Sequence, residues 1–200
     1  MHHPRVSRPV PPPPTHSHSR NSVAGTETTT VALRMTLLAL LTNPSSYLKL
    51  QSEIDTYYAT QPPSHTIPYS STKTLPYLQA VLREALRLWP PAAGLMTKEV
   101  PKGGDTLHGY FLPEGTEVGQ IMVGIGNQAE VWGGDARAFR PERWFEVSGE
   151  RREEMLMASD IGFSAGKYLC LGKSVAWMEM GKFFCEVSIC LGCMSVLGKG

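Results

Sequence analysis

The chain has 200 residues, 42% of them hydrophobic, and 19 Lys and Arg against 18 Asp and Glu give a net charge of +1. That apolar content suffices for one core of ordinary size or two small ones, and so balanced a charge speaks against a nucleic-acid partner. All four cysteines (Cys170, Cys185, Cys190, Cys193) crowd the C-terminal end with no cleavable signal ahead of them, which argues against a secreted disulfide scaffold and for a reducing, intracellular compartment. No run of about 18 apolar residues is present, so no transmembrane span is expected.

Residues 1–22 form a leader rich in Pro, His, Ser and Arg, with Pro9-Val10-Pro11-Pro12-Pro13-Pro14 inside it. Such a segment favours polyproline II and buries too little apolar surface to order itself, so it is expected to be disordered. His2, His3, His16 and His18 lack any fixed spacing for a metal and read as solvent-exposed tail. The polyproline is alternatively a ligand for an aromatic-grooved adaptor domain. Order is expected from Val23. Residues 31–41 (VALRMTLLALL) are apolar almost all round, which predicts a helix buried on most faces and stopped by Asn43-Pro44. Just upstream, Ala24-Gly25-Thr26-Glu27-Thr28-Thr29 is an odd composition for a buried helix. It reads either as a frayed start with Thr caps, the better reading of the residues alone, or as a widened turn holding a small ligand and water.

A second helix is expected from Ser45 to Tyr57 with Leu48, Leu50 and Ile54 as its apolar side, then a linker at Pro62-Pro63-Ser64-His65. Residues 75–89 carry Leu78, Val81, Leu82, Ala85 and Leu86 at helical spacing before Pro90-Pro91. Glu84 and Arg87 share a face of that helix: a minor surface pair if exposed, a demanding one if buried. Residues 106–118 alternate around Pro113-Glu114-Gly115, which predicts a hairpin turning there. A short helix is expected over residues 127–132. The irregular stretch Phe139-Arg140-Pro141-Glu142-Arg143-Trp144 then offers Arg143 as a third member for the Glu84–Arg87 pair.

In Phe163-Ser164-Ala165-Gly166-Lys167-Tyr168-Leu169-Cys170-Leu171-Gly172, one cysteine bracketed by glycines sits where a loop turns into a helix. A helix start favours a thiolate, and glycine lets a flat partner approach closely. On this stretch alone a buried, inert Cys is the better reading, because unpaired Cys is commonly core.

Taken together and in order, four motifs resemble the C-terminal part of a cytochrome P-450, the haem-thiolate monooxygenase superfamily, most closely its filamentous-fungal branches. They are the Ala24 to Thr29 segment, Glu84-Ala85-Leu86-Arg87, Phe139 to Trp144, and the loop from Phe163 to Gly172. The resemblance covers residues 23–184 and implies a mainly α fold with a small β portion, the truncated C-terminal half of that fold, around one haem. It makes Cys170 the axial thiolate of the iron, which reverses the reading of that cysteine. It implies that Gly166 permits the loop's bulge, Phe163 packs on the macrocycle and Gly172 lets the next helix pass close by. Glu84, Arg87 and Arg143 become a buried structural triad, and Glu27 and Thr28 an acid–alcohol pair relaying protons, with Gly25 leaving room for dioxygen. The implied reaction inserts one oxygen atom into a small lipophilic organic substrate, as a tailoring step in fungal secondary metabolism. Electrons would come from NADPH through a partner cytochrome P-450 reductase. Family members are usually anchored to the endoplasmic reticulum membrane by a segment not seen in this chain.

The chain departs from the family pattern in several places. Tyr168 stands where the family most often has an Arg for a haem propionate, and Lys98 where relatives commonly place another Arg. Lys98 and Lys167 are therefore expected to bind the propionates. Ser164 replaces the loop's first glycine, a mild change if its φ stays negative. Residues 185–200 do not look like the strand pair that closes the domain and read as a divergent tail, with Cys190-x-x-Cys193 at most half a metal site. The chain is also less than half the family's length, so the alternative to an active enzyme is a catalytically inactive, truncated remnant.

Overall fold

The computed structural model describes residues 15–62 and 66–197. The expectations for residues 1–14 and most of the Pro62–His65 linker lie outside that range, as do those resting on the side chains of His16, His18, Cys190 and Cys193.

Helix α1 (Thr15–Thr42) is continuous and starts well upstream of Val23, so residues 24–29 are neither a frayed start nor a widened turn. The Thr28 hydroxyl donates to the Ala24 carbonyl one turn back (2.6 Å), and Thr36 does the same to Ala32 (2.7 Å), which reconciles threonine with a helix interior. Among its described side chains, α1 buries one face, through Ala32, Thr36, Ala39 and Leu40. Val31, Leu38 and Leu41 are exposed, so burial on most faces is corrected to burial on one.

Asn43-Pro44 ends α1 and starts α2 (Pro44–Tyr58), whose inward face is Ser46, Leu50 and Ile54. Leu48, expected beside Leu50, is 64% exposed, because two residues along a helix is more than half a turn around it. After the short α3 (Tyr69–Thr72), α4 (Pro76–Leu88) begins with proline in its first turn, where a missing N–H costs nothing. Its next two amides, of Tyr77 and Leu78, donate to the Glu53 carboxylate of α2 at 2.8 and 2.9 Å. One helix thus caps another.

The β portion is two separate ribbons. β1 (Leu95–Glu99) pairs antiparallel with β4 (Glu117–Ile121), in the register Leu95 to Ile121; β2 (Asp105–Leu107) pairs with β3 (Tyr110–Leu112). The tight turn is His108-Gly109, not Pro113-Glu114-Gly115. Both residues have positive φ (50° and 83°), the conformation a two-residue hairpin loop requires. Gly115 instead belongs to the turn that sends β4 back to β1, its N–H donating to the Val100 carbonyl (3.1 Å).

α5 (Met122–Gly126), α6 (Ala129–Trp132) and a 3-10 turn at Pro141–Trp144 follow, and then α7 (Gly149–Asp160), a helix its charged sequence does not announce. Two further 3-10 turns lead into α8 (Lys173–Leu197). α1, α2, α4 and α8 bury one core: Ala32 and Leu40, Leu50 and Ile54, Leu78, Val81, Leu82 and Leu86, then Met180, Phe184 and Cys185. A second, smaller cluster joins Ala80 to Trp132, Ala136, Trp144 and Met155.

α8 crosses from Phe184 into residues 185–197 without a break, and the first of those residues are core. Burial, then the Glu186 and Glu53 carboxylates, push the Cys185 thiol up to about 12. Glu186 accepts the Ile67 amide (3.1 Å) and the Tyr58 hydroxyl (3.3 Å). Among the described residues no helix is long and apolar enough to cross a membrane.

Candidate functional site

The Cys170 loop is closed on itself. The Cys170 N–H donates to the Phe163 carbonyl (2.8 Å), and the Cys170 carbonyl accepts the Lys173 amide (3.2 Å) at the entry to α8. Gly166 takes φ 58° with nothing within 4 Å of a would-be Cβ, so the loop needs it for backbone angle and not for space. A Cβ on Gly172 would lie 3.8 Å from the Cys170 sulfur, an ordinary contact, so within this chain the glycine keeps the sulfur's surroundings open. Cys170 itself is exposed.

Cys170 lines a cavity of about 1140 Å³ between this loop, the start of α8 and the middle of α1. The cavity brings together five of the expected residues, with Gly25 and Thr28 on the α1 wall and Phe163, Cys170 and Gly172 on the other. Glu27 is exposed, a third of a turn from Thr28, and does not line it. Lys98, Gly166 and Lys167 also lie outside the lining. Met178, Glu179 and Lys182 of α8 do line it, and sequence reading missed them because nothing in their spacing separates a cavity wall from a core face.

Glu84, Arg87 and Arg143 meet in the interior, each 3% exposed or less. Arg87 grips the Glu84 carboxylate with two parallel bonds (3.0 and 2.7 Å), and Arg143 Nε adds a third (2.8 Å). The Arg140 amide (3.0 Å) and the Trp144 indole N–H (3.1 Å) complete the set. The guanidiniums spend their other donors on main-chain carbonyls: Arg87 on Gly126, Ala136 and Ala138, Arg143 on Trp132, Asp135 and Ala138. A buried charged group is tolerable only when its hydrogen-bonding capacity is met in this way.

Two participants went unread in the sequence. Asp135 balances the second arginine: burial alone would raise its carboxyl, but hydrogen bonds from Arg140 (2.6 Å) and Arg143 (3.1 Å) hold it below the usual carboxylate range. Gly126 lies so close to α4 that a Cβ there would stand 2.1 Å from the Arg87 carbonyl oxygen.

Lys98 on β1 and Lys167 in the loop both approach Tyr168, with Nζ 4.8 and 4.9 Å from the ring centroid. Lys98 Nζ also donates to the Ser164 hydroxyl (3.3 Å). Ser164 has φ 61° and ψ −171°, so the negative φ that would have made this residue a mild replacement for glycine is not adopted.

The residues present fit a haem. Among the described residues no group of three or more His, Cys, Asp or Glu could hold a bare ion, whereas a macrocycle brings its own ring donors and needs one exposed sulfur. Leu171 is 99% exposed and Leu169 and Val175 about half exposed around that sulfur, an apolar surface that a flat, greasy group would cover.

Comparison with known proteins agrees with the geometry. The family model for Cytochrome P450 matches residues 15–187. The chain is similar to the cytochrome P450 monooxygenase ABA1 of Pyricularia oryzae, 45% identical over 166 residues that cover 82% of this chain and 32% of the relative. It is 40% identical to the cytochrome P450 monooxygenase abl1 of Leptosphaeria maculans, over 82% of this chain and 29% of that protein. It is likewise 40% identical to pisatin demethylase of Fusarium vanettenii, over 81% of this chain and 30% of that protein. The chain spans about a third of the length of the curated relatives it matches. A match over most of the chain, with the cysteine loop, the buried Glu–Arg pair and the threonine-bearing helix all within it, means that the chain belongs to the cytochrome P450 family.

Proposed function

We propose that this chain is the haem-binding part of a cytochrome P450 monooxygenase that inserts one atom of dioxygen into a small lipophilic organic substrate. The observation that carries the reading is the exposed Cys170 lining one cavity together with Gly25 and Thr28. When bound, a haem held by a thiolate would supply dioxygen binding and O–O cleavage. Cys170 would hold its iron, while Phe163 and Leu171 would cover its face and keep water from it.

On the opposite wall, the Thr28 hydroxyl donates its hydrogen bond to the Ala24 carbonyl. Its oxygen therefore presents lone pairs and would accept a hydrogen bond from a water in the cavity, with Glu27 beside it as the exposed acid that would supply the proton. Glu84, Arg87 and Arg143 act at a distance from the chemistry. They fix the segment from Ala136 to Trp144 against α4. Electrons would come from NADPH through a partner reductase. The fungal relatives, among them one named for demethylating pisatin, support a tailoring step on a secondary metabolite.

The test is a carbon monoxide difference spectrum of the haem-supplied, reduced chain, with Cys170→Ser beside it. A red-shifted thiolate–CO Soret band that the variant loses is expected. No such band in the parent, or one unchanged by the substitution, overturns the proposal.

A further inference from the structure

α7 ends on Asp160 and α8 begins on Lys173, so these two residues bracket the loop that carries Cys170. Each charge stands where the helix macrodipole disfavours it, an acid at a C-terminus and a base at an N-terminus. Helix formation therefore explains neither. What they have is each other: Lys173 Nζ lies 3.0 Å from Asp160 Oδ2, with the side chains 29% and 40% exposed.

The pair closes the loop from side chain to side chain, outside the main-chain closure in which the Cys170 amide donates to the Phe163 carbonyl (2.8 Å). The same ammonium lies 5.4 Å from the centre of the Phe163 ring, and Phe163 lines the cavity together with Cys170. The other carboxylate oxygen, Oδ1, accepts from Arg83 Nη1 of α4 at 3.4 Å. That guanidinium lies against two indoles, 5.1 Å from the ring centre of Trp177 and 5.9 Å from that of Trp144. One carboxylate thus joins the loop's entry, its exit and α4.

Resting on the haem reading above, we propose that Asp160 is a positioning residue for the Cys170 thiolate: through Lys173 and Arg83 it fixes both ends of the cysteine loop and so holds the sulfur in place for an iron. Without this carboxylate, Lys173 becomes an uncompensated charge at a helix start, so its loss acts on the exit of the loop as well as on the entry.

The test is hydrogen exchange of the full chain, read by mass spectrometry over residues 163–173, beside the lifetime of the thiolate–CO band in the haem-loaded chain. Asp160→Asn should speed exchange over those residues about fivefold, the upper end for a partly exposed pair, and Lys173→Met about threefold, because Arg83 keeps its partner there. The double variant should exchange no faster than Asp160→Asn alone, since the second substitution has no contact left to break. α2 should exchange as in the parent chain throughout. Lys49→Met, which breaks an ion pair with Glu142 away from the loop, should leave residues 163–173 unchanged.

In the haem-loaded chain, Asp160→Asn should lose the red-shifted band to an unshifted one about fivefold faster, while Asp160→Glu, which keeps the carboxylate, should stay within about twofold of the parent. Exchange that quickens equally in α2, or a loop no faster than in Lys49→Met, overturns the brace. A loop that loosens while the band lasts as long as in the parent overturns the positioning role and leaves the haem reading standing. Absence of that band in the parent chain brings down the haem reading and the positioning role with it.

Discussion

Glu84→Gln is the substitution the interior is least able to absorb. The carboxylate is fully buried, with Arg87 Nη2, Arg143 Nε and the Arg140 amide on Oε1, and Arg87 Nε and the Trp144 indole on Oε2. Glutamine keeps the shape but turns one oxygen into a donor, and on either side that donor faces at least two others. The charge that compensates two buried guanidiniums is lost as well, leaving Arg143 with Asp135, whose side chain is 41% exposed, and Arg87 with main-chain carbonyls. Removing one partner of a buried ion pair costs about 3–5 kcal/mol, against about 5–15 kcal/mol for a whole domain. For a chain of this size Tm should fall by on the order of 10 °C. Urea unfolding followed by circular dichroism measures the loss, with Glu142→Gln as the control. Glu142 pairs with Lys49 at 2.6 Å, but those side chains are 31% and 55% exposed, so that change should cost about 1 kcal/mol or less. If the two variants lose the same stability, the buried network is not what ties the segment around Arg143 to α4.

Gly126→Ala should cost about 2 kcal/mol or more in the same assay, because its Cβ would meet main chain at 2.1 Å and main chain cannot rotate away; a loss below 0.5 kcal/mol would be incompatible with the close approach. Glu53→Gln should lower stability by about 1–2 kcal/mol through the weakened cap on α4, and the loss should persist at high salt because both bonds are part-buried. Stability should also fall at both ends of the pH scale. Hydrogen bonds from arginine to Asp135, and from Lys49 and Tyr77 to Glu142, outweigh burial and lower both carboxyls. Their contribution is therefore complete above the ordinary values of 3.8 and 4.5 and lost as pH drops through the folded ones. Burial raises Cys185 from 9.0, and Tyr77 from 10.0, each to about 12, so their contribution is complete below about pH 9 and lost as pH climbs toward 12. A plateau reaching below pH 3 or above pH 11 in a pH series of urea midpoints would refute these shifts.

Much of the helical frame was legible because its signals are local. α4 announces itself through Leu78, Val81, Leu82 and Leu86 at a 3.6-residue period between prolines, and the Asn43-Pro44 break places the joint between α1 and α2 to within one residue. The misreadings came where one local signal had a competitor. Pro113-Glu114-Gly115 is the stronger turn by composition, yet the chain reverses at His108-Gly109, since strand pairing depends on what β4 meets and β4 meets β1. Leu48 was grouped by hydrophobicity where angle along the helix decides. α7 is rich in Glu and Arg and has Met155 as its one fully buried residue, so it carries little periodic signal.

In the site, Glu84, Arg87, Arg143 and Cys170 were legible as motifs, but Asp135 and Gly126 were not. Their importance exists only because distant segments meet: Asp135 opposite Arg143, and Gly126 against the Arg87 carbonyl. The backbone angle of Ser164 is likewise invisible in a sequence where serine is an unremarkable loop residue.

α4 is a wall shared by two rooms. One stripe, Leu78, Val81, Leu82 and Leu86, belongs to the helical core, while the other, Ala80, Glu84 and Arg87, faces the irregular segment with its two tryptophans. Neither side can come apart without exposing the back of the other, so the segment around Arg143, although it contains almost no regular structure, is bound into the same cooperative unit as the helices. Irregular backbone here is not loose backbone, because the carboxylate and guanidiniums of α4 and Arg143 hold it to a helix of the core.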